Sequence, residues 1–214
     1  MRHDVGMPVE RLTPERRREL TRSALVEAAA DVFARRGFEG ASLEEIAETA
    51  GFTRGAIYSN FGSKEDLLLS VVERYNTTLF SAYSDSLDQE TGATTEERTV
   101  SAATLWRDLI RRDPNLAALN LEFRLRALRD PAFRSRLLEL QNEHVGRIAD
   151  LIEREAKKYG LVLKVRPLDL AEILNAATVG LGELAGMDPE HAARYDELVQ
   201  MFFRLIESSI AESP

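Results

Sequence analysis

The chain of 214 residues is 44% hydrophobic and 30% charged, holds no cysteine, and contains no apolar run of the length a bilayer crossing demands. That excludes disulfide scaffolds and thiolate metal sites, and leads us to expect no membrane segment. The net charge of −8 is unevenly spread: the first sixty-four residues carry ten basic and ten acidic side chains, so the whole acidic excess lies beyond them.

An acidic body argues against indiscriminate nucleic-acid binding, while basic clusters near the start leave room for a local contact. The opening MRHDVGMPVERLTPERRREL has no apolar stretch of signal-peptide type, so a cytoplasmic location is expected. Residues 1–12 read as a flexible arm.

Apolar residues recur at three- and four-residue spacing almost throughout, which predicts an all-α protein of about nine helices. Thr13 and Pro14 supply an N-cap and a first-turn proline for helix one, whose stripe runs Leu25, Ala28, Ala29, Val32 and Phe33 and which Gly37 stops. Ser42 with Glu45 forms a capping-box pattern, so helix two starts at Leu43, turns Leu43, Ile46, Ala47 and Ala50 inward, and breaks at Gly51. Thr53 is placed to cap a third helix over Arg54–Asn60. Gly62 ends it, and Ser63 caps a long fourth helix.

Farther on, Asp88–Arg98 reads as a loop, and Asp113-Pro114 and Asp130-Pro131 punctuate further helices. A long helix over about Ala132–Tyr159 follows. Two last helices are separated at Asp188-Pro189.

The segment from Ser42 to Leu68, a helix, a glycine turn and a second short helix, has helix-turn-helix geometry. At about 100° per residue, Arg54, Gly55, Tyr58 and Ser59 share one face of helix three and Ala56, Ile57 and Asn60 the other. Arg54 can fork onto a guanine edge or grip phosphate, Gly55 permits close backbone approach, and the hydroxyls suit phosphate oxygens. Ser42 and Lys64 stand at helix starts, where free N–H groups favour an anion. Taken singly, each is as readily a surface or packing residue, and the run Arg16, Arg17, Arg18 with Arg22 reads first as a solvated face.

Over about Arg18 to Leu68, with AGFTRGAIYSNFGSKE at its centre, the chain resembles the DNA-binding domain of the TetR family of bacterial regulators. The resemblance implies a helix-turn-helix domain over residues 13–63 and a ligand-binding and dimerisation domain over 64–214, joined by helix four. It implies a recognition helix with its cap made by Thr53, Arg54, Gly55, Tyr58, Ser59 and Asn60, and phosphate contacts from Ser42 and Lys64. It also implies a homodimer on a palindromic double-stranded DNA operator, usually a repressor released by a small-molecule effector. Asn60 stands where many relatives carry histidine and Ser59 where a bulky residue is frequent, so the operator sequence is not carried over.

In the second half, Phe80, Tyr83, Trp106 and Phe123 are candidates to line a ligand cavity, with Asn120 and His144 as polar groups to orient its content; core packing is the alternative for each. Ile173, Leu174, Ala177, Leu181 and Leu184, then Leu198, Val199, Phe202, Phe203 and Ile206, form more apolar surface than one edge of a bundle needs and predict a four-helix dimer interface. Gly180, Gly182 and Gly186 are candidates for close helix approach there.

No catalytic residue, metal site or cofactor is expected. The three histidines stand far apart, there is no phosphate-binding glycine loop, and Asp188 near His191 reads as a helix-start cap. A helical carrier or enzyme with an unused helix-turn-helix, and a ligand-independent DNA-organising protein, are the competing functions.

Overall fold

Thr13 is the first described residue and does what its place before a proline suggests: its hydroxyl accepts the Arg16 N–H at 3.2 Å and starts α1 (Pro14–Gly40). The computed structural model describes residues 13–89, 94–112 and 116–212, so the expected arm over residues 1–12 and the Asp113-Pro114 break lie outside the described residues. Gly37 takes φ +70° and interrupts α1, where a side chain would be strained, and the chain turns toward α2 (Leu43–Thr49). Leu25, Ala29, Val32 and Phe33 on the inner stripe of α1 are fully buried.

Gly51, at φ +76°, closes α2 as the Phe52 N–H donates back to the Ala47 carbonyl at 2.8 Å. After α3 (Arg54–Phe61), Ser63 caps α4 (Lys64–Gln89) by accepting the Asp66 N–H at 3.0 Å. Then come α5 (Thr95–Arg112), α6 (Leu116–Arg129), α7 (Pro131–Lys158), α8 (Pro167–Met187), one 3₁₀ turn (Pro189–His191) and α9 (Ala192–Ile210). The all-α expectation holds. Its one exception among the described residues is a two-residue antiparallel ladder, Val162–Leu163 against Ala211–Glu212, too short to show as alternation.

Two caps of the helix-turn-helix differ from expectation. Thr53 has N-cap backbone geometry but its side chain makes no capping bond. Glu45 leaves its capping box half made: its own N–H donates to Ser42 Oγ at 3.0 Å, yet its carboxylate turns to Arg36 and Arg35.

One hydrophobic core runs from α1 through α4 and on into α6 and α7, where Leu119, Phe123, Phe133 and Leu137 join Phe33, Ile57 and Leu68. Helix α6 is the wedge. On one side it meets α1, where the Glu122 carboxylate accepts the Phe38 N–H at 2.9 Å. On the other it meets α8 so closely that a Cβ on Gly186 would fall 2.5 Å from the Ala117 Cβ. Gly186 therefore serves α8 against α6 within the chain, where the sequence suggested a contact between chains.

Candidate nucleic-acid interface and ligand cavity

Ile57 and Phe61 anchor α3 in the core, and that fixes what the helix shows outward. Arg54, Gly55, Tyr58 and Ser59 are exposed, as the wheel predicts, and Tyr58 is 47% accessible, unusual for an aromatic ring with nothing to cover it. Arg54 donates to the Tyr58 hydroxyl at 2.8 Å, lies 5.3 Å from the ring centre, and pairs with Glu44 of α2. The guanidinium is thus held at the surface by one carboxylate and one phenol.

Asn60 lies on the other face, with Ala56 and Ile57, where the wheel puts it. Its amide donates to the Ala56 carbonyl at 2.7 Å and the residue is half-buried, because at the end of α3 it faces the α1 and α4 side.

That same side holds a residue the sequence left among the solvated charges. Arg22 donates to the Asn60 carbonyl at 3.1 Å and to Ser70 Oγ at 2.9 Å, with its guanidinium 4.4 Å from the centre of the Phe61 ring. It ties α1 to α3 and α4; a charge at the end of a basic run gives no sign of this in sequence. Arg18 reaches the Ser59 carbonyl at 3.4 Å, and Arg16 pairs with Glu19.

At the two flanking helix starts, Ser42 is exposed and Lys64 is partly covered. The Lys64 ammonium lies 4.6 Å over the Phe38 ring, whose environment also holds Arg126 at 4.8 Å, and burial pushes its pKa down. Arg126 in turn bridges Glu39, Glu65 and Asp130.

A cavity of about 390 Å³ opens among α4 to α9, at the lower end of the range of ligand pockets. Five of the six expected lining residues, Phe80, Tyr83, Trp106, Asn120 and His144, border it. Phe123 does not: it is buried in the main core against α1 and α4. Burial pushes the Tyr83 hydroxyl well above its usual pKa, so it stays protonated.

Residues of α8 complete the wall. Leu174, Asn175, Thr178 and Gly182 line it, as do Phe203 and Ile206 of α9. These helices therefore serve the cavity with one face, a role the sequence assigned only to the interface. Val199 is likewise internal, fully buried against Ala103 and Trp106, with Leu181 packed on the same cluster. Of the expected interface set, Ile173 and Leu184 are exposed and Ala177, Leu198 and Phe202 half-buried; Met187, Met201 and Leu205 add exposed apolar surface that the sequence reading passed over.

His144 is 7% exposed, and burial lowers its pKa to about 4, with the nearby Arg147 charge acting the same way. An unfolded histidine takes up its proton near 6.5 and the folded one only near 4, so between those values the unfolded chain binds more protons. Stability contributed by the neutral imidazole is complete above 6.5 and is lost as the pH falls toward 4. In thermal melts over that window, a His144→Gln protein should show a shallower acid loss than the wild type; parallel curves would refute the assignment.

Asp188 pairs with the His191 imidazole at 2.9 Å and makes no capping bond. Among the described residues no group of three or more His, Asp or Glu side chains converges to hold a metal, and no helix is long and apolar enough to cross a membrane.

The comparisons bear on the helix-turn-helix first. Residues 25–71 match the model of bacterial regulatory proteins of the tetR family. The HTH-type transcriptional activator FasR of Mycolicibacterium smegmatis is 33% identical over 96 residues, 45% of this chain and 43% of FasR, so the match spans less than half of that relative. Among solved structures, a transcriptional regulator from Rhodococcus sp. Rha1 superposes with TM-score 0.71 at 22% identity, covering 90% of this chain and 99% of that one. FadR from Bacillus subtilis, in complex with stearoyl-CoA, does so with TM-score 0.67 at 18% identity, covering 85% and 96%. The later helices thus share the fold of such regulators, and residues 25–71 carry the amino-terminal domain of bacterial regulatory proteins of the tetR family.

Proposed function

We propose that the chain is a ligand-responsive transcriptional regulator, a repressor that binds a palindromic operator as a homodimer and is released by a small molecule. The observation that carries this reading is the outward face of α3: Arg54, Gly55, Tyr58 and Ser59 stand exposed on a helix whose other face is locked into the core. In the proposed complex Arg54 reads a base or grips phosphate, Tyr58 and Ser59 bond phosphate oxygens, and Ser42, Thr53 and Lys64 flank them at helix starts. Asn60 acts from behind, holding the end of α3.

Helices α1 to α3 form the reader and the rest the sensor and dimer unit. Exposed Ile173, Leu184, Met187, Met201 and Leu205 support pairing through α8 and α9. The effector occupies the cavity, as stearoyl-CoA accompanies FadR. Two helices couple it to the reader. α4 runs from Lys64 at the reader to Tyr83 at the cavity, and α6 touches the cavity through Asn120 and the end of α1, beyond the Gly37 kink, through Glu122. Effector and operator then oppose each other reciprocally, by typically about 1 to 3 kcal/mol.

Glu44 holds Arg54 in the free protein and presents a negative charge where phosphate would lie. A Glu44→Gln protein should therefore bind duplex DNA roughly three- to tenfold more tightly at low salt. Weaker binding would show that Glu44 supports the DNA-bound arrangement.

The direct test is a gel shift of the duplex upstream of the chain's own coding region, with random duplex as competitor. A retained complex that competitor does not displace is expected, its affinity falling steeply with salt. No complex with any duplex would leave a carrier or enzyme with an unused helix-turn-helix, and equal affinity for all duplexes a DNA-organising protein.

A further inference from the structure

The described residues lining the cavity include no lysine or arginine and one carboxylate, Glu155. That carboxylate is already engaged, by Arg154 Nε at 3.2 Å and Lys158 Nζ at 3.4 Å, so it offers little to a cationic ligand. Arg147, which is not among the lining residues, rests its guanidinium 5.4 Å from the centre of cavity-lining Phe80 and would repel a cation placed there. Among the described lining residues an ion would thus find no free side chain of opposite charge, and leaving water unpaired is costly.

The remaining wall is mostly aliphatic and aromatic, with a few neutral polar groups. One of these, the Thr178 hydroxyl, is spent on the Leu174 carbonyl at 2.7 Å. His144 is not spent. It is more than nine-tenths buried, borders the cavity, and its Nδ1 has no hydrogen-bond partner among the described residues. A neutral imidazole carries one donor and one acceptor nitrogen, and a buried one with an idle nitrogen costs stability unless a bound group satisfies it.

We propose that the cavity takes an uncharged, largely apolar molecule bearing a hydroxyl or carbonyl group, which hydrogen-bonds to His144 while the apolar body fills the space against Trp106, Phe80 and Leu174. The inference rests on the reading of the cavity as the effector site. It deepens that reading by assigning the effector's chemical class.

Trp106 is the chain's one tryptophan and lines the cavity, so its emission reports occupancy without a label. The experiment titrates the full chain at pH 7.5 with three probes of equal chain length: 1-decanol, decanoate and decyltrimethylammonium. Saturable change of Trp106 emission is expected with the alcohol, at least tenfold weaker with either ion. His144→Leu should weaken the alcohol by roughly two- to tenfold, the worth of one hydrogen bond, and His144→Gln should restore most of it.

Equal or tighter binding of an ion, no response to any probe, or unchanged alcohol binding in His144→Leu would overturn the inference. The ion comparison uses the wild-type chain and holds even if a variant fails to fold. DNA retention measured on the same samples separates the two readings: a chain that binds DNA and responds to an ion keeps the regulator and loses only the ligand class.

Discussion

An Arg54→Ala protein should bind its operator roughly ten- to a hundredfold more weakly than the wild type and discriminate less among sequences, with an unchanged melting temperature. The unchanged stability follows from exposure: the guanidinium touches Glu44 and Tyr58, both at the surface, and no core residue. Lys64→Ala and Tyr58→Phe should differ in kind, lowering affinity for operator and random duplex alike, because a phosphate contact carries no sequence information. Titration of each variant against both duplexes measures the difference. If all three proteins bind as the wild type does, the outward face of α3 is not the reader.

The second large effect is expected at the joint between α6 and α1. Glu122 accepts the Phe38 N–H just after Gly37, the residue that lets the chain turn at φ +70°, and a Cβ on Gly37 would lie 2.9 Å from the same carboxylate. Glu122→Ala leaves that partly buried N–H without its partner and should cost about 1 to 3 kcal/mol of stability, read by denaturant unfolding. In the proposed mechanism it also loosens the link between the cavity-lining turn of α6 and the reader, so effector should displace the variant from DNA less completely. Full displacement together with lost stability would leave the joint structural and place the coupling in α4 alone.

How much of this the sequence shows depends on the range of the interaction. Local chemistry is legible: the Thr13 and Ser63 caps, the breaks at Gly37 and Gly51 and the outward face of α3 each depend on residues within one or two turns, and the structure has them where the pattern puts them. Long-range partnerships are not. Arg22 looks like one charge in a basic run, yet it bonds residues thirty-eight and forty-eight positions away. Val199 and Leu174 carry the same apolar signature as exposed Ile173, and only the placement of α5 and α7 decides which is covered. Phe123 failed for the same reason, since an aromatic on α6 can face the cavity or the main core and α1 occupies the second side.

His144 belongs with the long-range cases: a lone histidine on the buried stripe of α7 is a weak signal, and only the packing of α4 to α9 sets it beside a cavity with a nitrogen that has no partner among the described residues.

The measurement that bears most directly on the whole account is the stoichiometric titration of the purified chain onto a duplex selected from genomic fragments, followed by anisotropy alongside a scrambled duplex of equal length. Two protomers per duplex, strong preference for the selected sequence, and loss of that preference in Arg54→Ala are expected. A strictly monomeric chain that treats the two duplexes alike would contradict the proposed function.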